Sequence, residues 1–278
     1  MEHIDKSNNL YKVKADSVVN DFIAHQRLLG NEPKYFIFCK TSFKNKLRDI
    51  LIEEQDYYCC YCMRILKKDD STTIEHIIPK GVDQNELNSY KICYPNYFTE
   101  VIHRDCFNSS SITPPYPHQI AYQNLSASCK GILQECSDSP HCCNNKRLRA
   151  VINPLFFDGN IANIVEYIAL TGESKSCNVA DATIASTINN LGLNNDTLKE
   201  IRFLWALITK KGLVINVTIN RNHLLNDLFG TELLSNLPIH FVKYGKYFTQ
   251  NNMYYWDLLM SYRWFEGYFR KKWSEVAN

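Results

Sequence analysis

Two stretches near the start of the chain repeat apolar residues at the spacing of an α-helix. The first covers residues 14 to 30, and its apolar positions are Val18, Val19, Phe22, Ile23, Leu28 and Leu29, followed by Gly30. The second covers residues 42 to 54, with apolar positions Phe43, Leu47, Ile50 and Leu51. The opposite side of this second stretch carries Lys44, Lys46, Arg48 and Asp49. Both patterns predict amphipathic helices.

The middle of the chain has the character of short strands. Residues 71 to 80, STTIEHIIPK, place β-branched residues on both sides of a charged pair and stop at Pro79, which predicts a strand and a turn. Residues 120 to 129 predict a second strand. Residues 81 to 120 show no period, so we expect a long loop there. The segment after Cys143 predicts the start of a helix.

Helical signals dominate the last hundred residues. Thr197 and Glu200 have the spacing of a capping box, in front of an apolar helical repeat. Residues 244 to 273 hold twelve aromatic residues, which predicts a helix buried from more than one side. The alternatives for this segment are a partner surface and a stacking surface for single-stranded nucleic acid. The order of elements predicts an α+β protein with three parts: 1–50 helical, 51–160 the strand-containing core, and 161–278 helical.

Composition narrows the possible functions. The chain has 278 residues, of which 45% are hydrophobic and 22% charged, so a folded globular protein is expected. Its net charge of +2 gives no general attraction for nucleic acid, and any such site must be local. We find no secretory signal pattern and no long apolar run, which predicts a cytoplasmic protein without a membrane span. Thiols stay reduced there, so the eleven cysteines point to metal binding, catalysis or burial.

Nine of the eleven cysteines lie between Cys59 and Cys143. The Cys59-x-x-Cys62 turn is half of a common zinc arrangement, because two thiolates at this spacing reach one tetrahedral ion. Candidates for the other half are Cys129, Cys136, Cys142 and Cys143. The alternative is that these thiols pack as small buried apolar groups.

A possible catalytic group lies between the two sets of cysteines. A histidine beside a carboxylate at a strand end, as in Glu75-His76, can act as general base while the carboxylate holds a divalent ion. Asn124 cannot titrate, but its amide can bond nearby backbone and hold the histidine in position. The alternative is that His76 is an ordinary structural histidine.

The motifs CCYCMR, IEHIIPKG, YQNLSASCKG and HCCNNK, in this order, resemble those of the HNH (ββα-metal) endonucleases. Specifically, they resemble those of the PtuB-like nucleases of Septu and retron-associated anti-phage defence systems. It covers roughly residues 50 to 160. It implies a zinc-clamped ββα-metal nuclease core embedded in a mainly α-helical scaffold.

The resemblance also implies site residues. A structural zinc would be held by Cys59, Cys62, Cys129 and Cys142, where Cys142 is preferred because Lys146 follows it by four residues, as in the family's usual Cys-x-x-x-Lys ending. Cys136 and Cys143 remain alternatives for that fourth ligand. The second ligand of the catalytic ion is expected at Asn144, with Cys143 and Asn145 as alternatives.

The implied reaction is hydrolysis of a phosphodiester bond. His76 would deprotonate a water, and Mg²⁺ or Mn²⁺ would be held by Glu75 and an asparagine amide. Lys80 and Lys146 are candidate phosphate contacts, with solvated surface lysines as the alternative. Asn124 and Asn144 complete the expected catalytic set.

The family resemblance adds a partner, a PtuA-like ATPase, for which the helical regions would provide the docking surface. The substrate is expected to be DNA or RNA, and no base-reading module chooses between them. A different hypothesis is a non-catalytic zinc-binding module for nucleic-acid or protein contact. A thiol oxidoreductase using Cys59-x-x-Cys62 is a third, but the chain lacks the thioredoxin-like βαβ context.

Overall fold

The computed structural model describes residues 1–108, 113–133, 141–150, 152–178, 180–213 and 253–276. Its α-helices are α1 (Asn9–Leu28), α2 (Tyr35–Phe38), α3 (Ser42–Glu54), α4 (Gln84–Cys93), α5 (Cys143–Arg147), α6 (Ala182–Asn190), α7 (Asp196–Lys210), α8 (Met253–Met260) and α9 (Trp264–Val276). Its strands are β1 (Thr72–His76), β2 (Val101–Ile102), β3 (Tyr116–Pro117), β4 (Leu125–Cys129), β5 (Val165–Tyr167) and β6 (Ser174–Ser176). Helices and short strands are mixed, which confirms the α+β class.

Both amphipathic helices predicted near the N-terminus are present, as α1 and α3, and they pack on each other. Helix α1 begins earlier than expected, at Asn9, because the Asn8 side chain accepts a hydrogen bond from the Leu10 backbone N–H and caps it. Its buried side includes Val19 and Phe22, both 0% exposed. The prediction was wrong at the end of the helix, where Leu28 and Leu29 are exposed because they lie in the last turn, beyond the packed face.

Helix α3 has the predicted bounds, with one correction to its faces. Leu47 and Leu51 are buried as expected. Arg48, expected on the polar side, is also buried, because its guanidinium donates to the Asp69 carbonyl at 3.1 Å and to the Asp49 carboxylate. The long side chain thereby connects α3 to the loop that leads into β1.

The centre of the molecule is the antiparallel pair of β1 and β4. Thr72 pairs with Cys129 at one end of this hairpin, and His76 pairs with Leu125 at the other. Four residue steps at about 3.4 Å separate the two ends by roughly 14 Å. Helix α5 follows and packs on β4. The hairpin therefore has a cysteine end, at Thr72 and Cys129, and a histidine end, at His76 and Leu125.

The segment from 81 to 120 is more regular than the predicted loop. Its main element is α4, which begins with a capping box: Asp83 accepts from the Glu86 backbone N–H at 2.9 Å, and Glu86 accepts from the Asp83 backbone N–H at 2.8 Å. The sequence pattern missed this helix because only Leu87 and Tyr90 of its residues are buried, too few to produce a helical period.

The C-terminal helices α7 and α9 pack against each other. The expected cap of α7 was wrong: Asn195 caps the helix by accepting from the Thr197 backbone N–H, while Thr197 and Glu200 are buried. In the aromatic segment, Tyr262, Phe265 and Phe269 are buried, which confirms core packing for that face. Residues 244 to 252 of that segment lie outside the described residues.

Candidate metal centre and catalytic cleft

Four buried thiols meet at the cysteine end of the hairpin. The sulfur atoms of Cys59, Cys62, Cys129 and Cys143 all lie within 4.8 Å of one another. Two of the separations are 3.7 Å, between Cys62 and Cys129, and 3.9 Å, between Cys59 and Cys143. Zinc with four sulfur ligands at about 2.3 Å needs sulfur separations of about 3.8 Å. The group could therefore hold one zinc ion, as the sequence predicted.

The chain brings these thiols together from three places. Cys59 and Cys62 lie in the turn after α3, and that turn is tied to β4 because the Cys60 backbone N–H donates to the Ala127 carbonyl at 3.2 Å. Cys129 ends β4, and its backbone N–H donates to the Cys59 sulfur at 3.4 Å. Such N–H to sulfur bonds favour thiolates, and thiolates are the ligands that zinc requires.

The fourth member of this group is Cys143, the alternative to the Cys142 that the family resemblance favoured. Cys142 is extended, and its sulfur lies 3.5 Å from the Cys143 sulfur and also contacts the Cys62 and Cys129 thiols, but it is not one of the four sulfur atoms that all lie within 4.8 Å of one another. Cys143 has a φ of 53°, a left-handed conformation that places its sulfur within reach of Cys59. Metal ligation would offset the cost of that conformation. Cys136, the other alternative, lies outside the described residues.

The protein surroundings alone do not favour four negative thiolates. Burial raises the pKa of Cys62 and that of Cys143 well above the usual value. A divalent ion would supply the positive charge that makes four buried thiolates stable, which would couple metal binding to folding. The Tyr262 hydroxyl, 3.6 Å from the Cys62 sulfur, connects the C-terminal helices to this centre.

A close backbone contact between Gly131 and Cys142 holds the end of β4, with Cys129, against the start of α5, with Cys143. Gly131 has a φ of +65°, and its backbone carbonyl accepts a hydrogen bond of 2.8 Å from the Cys142 N–H. A Cβ atom at this position would lie 1.8 Å from the Cys142 carbonyl oxygen. Only glycine therefore allows β4 to approach the residues that lead into α5.

We expect Gly131→Ala to lower the free energy of unfolding by about 3–5 kcal/mol, from backbone strain and overpacking together. Gly30→Ala is a matched control, because Gly30 also has a positive φ of +67° but open space around its would-be Cβ. That control should cost only about 1–2 kcal/mol. Urea unfolding and zinc content measure both, and equal losses in the two variants would contradict the close-contact explanation.

A cleft of about 680 Å³ opens at the histidine end of the hairpin. It lies between β1 with its following turn, helix α4, and helix α5. Four residues predicted for the site line this cleft: Glu75, His76, Lys80 and Asn144. The structure thus brings together groups that are up to 69 positions apart in the chain. Lining residues that the sequence analysis missed include Tyr90, Arg147 and Arg149.

His76 is held in one tautomer and one orientation. Its Nε2 lies 2.9 Å from the Gln119 carbonyl oxygen, and because a carbonyl only accepts, Nε2 carries the proton and Nδ1 has the free lone pair. The Tyr35 ring contacts the imidazole edge-on, with 4.6 Å between ring centroids. Burial lowers the pKa of His76 to about 3, so the ring is neutral at pH 7. The imidazole is therefore neutral and oriented, and the same burial makes it a weaker base than a solvated histidine.

Asn124 makes the backbone contacts that the sequence suggested. Its side-chain oxygen accepts from the Ile78 N–H at 2.6 Å, and its amide nitrogen donates to the Ile78 and His118 carbonyls at 3.0 and 2.6 Å. It is fully buried. These bonds fix the turn that begins directly after His76, so Asn124 acts on His76 through the backbone.

Glu75 forms a buried ion pair with Arg147. The Arg147 guanidinium donates from Nη1 to Glu75 Oε1, and it also donates to the His76 and Ile77 carbonyls at 2.7 and 2.5 Å. Both side chains are at most 5% exposed. Burial raises the pKa of Glu75, and Arg147 opposes that shift. Arg147 therefore joins α5 to the end of β1.

The oxygen donors present fit a hard divalent ion in part. The Glu75 carboxylate accepts hydrogen bonds from Arg147, through Oε1, and from the Tyr61 hydroxyl, and the neighbouring guanidinium weakens its attraction for a cation. Asn144 donates from its amide nitrogen to Thr73 Oγ1 at 3.3 Å, which leaves its carbonyl oxygen as a donor to metal. Asn145 contacts His141 instead, at 3.2 Å. Of the two asparagines, only Asn144 lines the cleft.

The two predicted phosphate contacts have different surroundings. Lys80 lines the cleft, with its ammonium group 4.7 Å from the centre of the Tyr35 ring. Lys146 does not line it, because successive residues of α5 point in different directions, and its side chain lies against Gly192. Arg147 and Arg149 supply positive charge from this part of the chain instead.

Comparison of the chain with protein-family models, with curated proteins and with solved structures gives no match. Within the described residues, none of the helices combines the length and the apolar character that crossing a membrane requires.

Proposed function

We propose that the chain is a metal-dependent HNH-type endonuclease that hydrolyses phosphodiester bonds of DNA or RNA. The observation that carries the proposal is the position of His76. Its imidazole is fixed through Nε2, keeps Nδ1 for a proton, and lies in the wall of a cleft that Glu75 and Asn144 also line. A general base needs this combination of a free lone pair and a fixed direction.

The order of residues in α5 supports the same family. With Cys143 as the last thiol of the zinc group, Asn144 follows it directly and Arg147 follows it by four residues. The related nucleases commonly have an asparagine or histidine directly after the last cysteine, and a lysine four residues after it. The family pattern therefore fits when its last cysteine is Cys143 and not Cys142. In this alignment Arg147 occupies the position of the usual lysine.

In the proposed reaction, His76 Nδ1 accepts a proton from a water that attacks phosphorus in line with the leaving oxygen. Lys80 and Arg149 attract the phosphate backbone into the cleft. Arg147 fixes α5, and with it Asn144, relative to β1. The Glu75 carboxylate and the Asn144 carbonyl oxygen would hold a hard divalent ion, which when bound supplies positive charge beside the scissile phosphate.

The zinc has no part in the proposed chemistry. Thiolates at the opposite end of the hairpin, about 14 Å from His76 by strand length, hold the strand, the turn and α5 together. Zinc would thus set the position of α5, and the cleft would perform hydrolysis.

A biological role follows from the family resemblance. We propose that the protein acts in anti-phage defence, in the cytoplasm, with a PtuA-like ATPase as its partner. Affinity purification from cells expressing the neighbouring genes tests the partner. A protein that purifies alone under these conditions, with full nuclease activity, would contradict a required ATPase.

The second candidate is a non-catalytic zinc-binding module, and the Glu75–Arg147 ion pair is what favours it. A carboxylate that serves only to hold α5 against β1 needs no metal. The two candidates differ in whether the protein turns over a phosphodiester, and in whether a hard cation is needed.

We expect mild EDTA treatment to abolish cleavage while the zinc stays bound, because oxygen ligands hold Mg²⁺ weakly and four thiolates hold zinc tightly. Added Mg²⁺ or Mn²⁺ should restore cleavage. Labelled DNA and RNA report activity, and elemental analysis reports zinc. Activity that follows zinc content and ignores Mg²⁺ and Mn²⁺ would contradict the separation of the two sites.

An Asn144→Ala variant should need more Mg²⁺ for half-maximal cleavage, and Asn145→Ala is its matched control.

A further inference from the structure

Helix α4 forms the wall of the cleft that faces β1 and α5. Its residues Glu86, Ser89, Tyr90 and Tyr94 line the cleft, with Tyr94 directly after the last helical turn. The Glu86 carboxylate is occupied by the capping box, where it accepts from the Asp83 N–H. This wall belongs to the segment for which the sequence predicted only a loop, and the proposed nuclease chemistry assigns it no role.

Tyr90 has a polar group that the fold does not use. The side chain is 8% exposed, and its hydroxyl oxygen is buried without a hydrogen-bond partner among the described residues. Buried hydroxyls are nearly always bonded, because leaving one unsatisfied costs stability. A phenylalanine would pack in the same space without this cost. The hydroxyl therefore needs an explanation outside the packing of α4.

The surroundings of Tyr90 suit a ligand that accepts hydrogen bonds and carries negative charge. Three cationic side chains, Lys80, Arg147 and Arg149, line the same cleft with the carboxylates of Glu75 and Glu86. Arg147 and Glu75 pair with each other, so Lys80 and Arg149 face the single remaining carboxylate of Glu86, which accepts a hydrogen bond in the α4 cap, and the cleft keeps one net positive charge. Burial raises the pKa of Tyr90, so its hydroxyl keeps its proton and remains a donor. Phosphate oxygens are acceptors that carry charge, and they fit this environment.

We propose that Tyr90 is a substrate-binding residue, whose hydroxyl donates a hydrogen bond to a phosphate oxygen of the nucleic-acid strand bound in the cleft. The inference rests on the proposed nuclease function. It makes α4 the part of the fold that holds the strand, opposite the side that carries His76. The unsatisfied hydroxyl then lowers the stability of the free protein, and the hydrogen bond to the bound substrate removes this free-energy penalty.

The test is the Tyr90→Phe variant, which removes one oxygen atom and keeps the ring. We expect cleavage of a labelled oligonucleotide to fall about 10- to 100-fold in kcat/KM, the effect of losing a hydrogen bond to a charged group. The melting temperature should be unchanged or about 2–4 °C higher, because an unsatisfied buried hydroxyl has gone. Zinc content should not change. A purely structural tyrosine would give lower stability and no specific loss of substrate binding.

Binding measured in a His76→Ala background separates this proposal from the nuclease proposal. Fluorescence anisotropy with a labelled single-stranded oligonucleotide, its duplex and the RNA equivalent should show Kd raised about tenfold by Tyr90→Phe. Tyr97→Phe is the matched control, because the Tyr97 ring stacks on Tyr94 at the end of α4, with 6.4 Å between ring centroids, but does not line the cleft. If Tyr90→Phe keeps at least half of wild-type cleavage and affinity while His76→Ala abolishes cleavage, only the role of Tyr90 is wrong. If the wild-type protein neither binds nor cleaves these nucleic acids, both proposals are wrong.

Discussion

Cys143→Ser is expected to produce a protein that cannot hold zinc and that accumulates in the insoluble fraction. Structural zinc sites contribute about 10–16 kcal/mol of apparent binding free energy, which exceeds the whole stability of a typical domain. The Cys143 sulfur is one of the four that lie within 4.8 Å of each other. The residue is 0% exposed, so a water molecule from solvent cannot take the place of the lost sulfur ligand. Cys59→Ser and Cys129→Ser should behave in the same way.

Cys142→Ser is the matched control, because it changes the adjacent, equally buried thiol. We expect that variant to remain soluble and to keep about one zinc per chain, since the Cys142 sulfur lies outside the group of four. Elemental analysis of the soluble protein and the yield of each variant give the comparison. The reverse result, with Cys142 required and Cys143 dispensable, would restore the ligand that the sequence alone suggested.

His76→Ala is expected to fold, to keep its zinc and to lose cleavage by roughly 10²- to 10⁴-fold. A general base acts in the transition state, so its removal lowers kcat and leaves substrate affinity nearly unchanged. His76 is about 14 Å along the hairpin from the zinc end, and its ring contacts Tyr35 and Gln119, so truncation leaves the thiol group untouched.

His103→Ala controls for the loss of a buried histidine. His103 is 6% exposed against 7% for His76, it also uses Nε2 to contact a backbone carbonyl, and it does not line the cleft. The cleavage rate of the His103→Ala variant should stay within a fewfold of the wild-type rate. Steady-state kinetics and urea unfolding on both variants give the comparison. Retention of more than a tenth of the activity by His76→Ala would make His76 a structural histidine.

The parts of the fold that were predictable are those set by neighbouring residues. The periods of α1 and α3, the β-branched run of β1 and the spacing of Cys59 and Cys62 each depend on a few consecutive positions. The candidate thiols and the Glu75-His76 pair were found for the same reason. Helix α4 was missed because it buries one narrow stripe, and an N-terminal capping box is a weaker signal than a repeating apolar period.

The site depended on contacts that no local pattern encodes. Glu75 and Arg147 are 72 positions apart, and nothing in either neighbourhood indicates that they form a buried pair. The choice between Cys142 and Cys143 was decided by the backbone conformation of one residue, which the pairing of Cys142 with Gly131 and of Cys143 with Leu191 imposes. Sequence spacing cannot distinguish two adjacent thiols, since either could reach an ion if the chain turned differently.

The sequence by itself determined the α+β class, the two N-terminal helices, the hairpin strands and a cysteine-rich centre, because these depend on local period and on residue chemistry. Only the tertiary structure decided that Cys143 joins the thiol group, that Asn144 rather than Asn145 lines the cleft, and that α4 closes it. Those outcomes follow from where distant segments pack. Packing is a property of the whole chain, because each buried contact depends on all the others that fix the backbone around it.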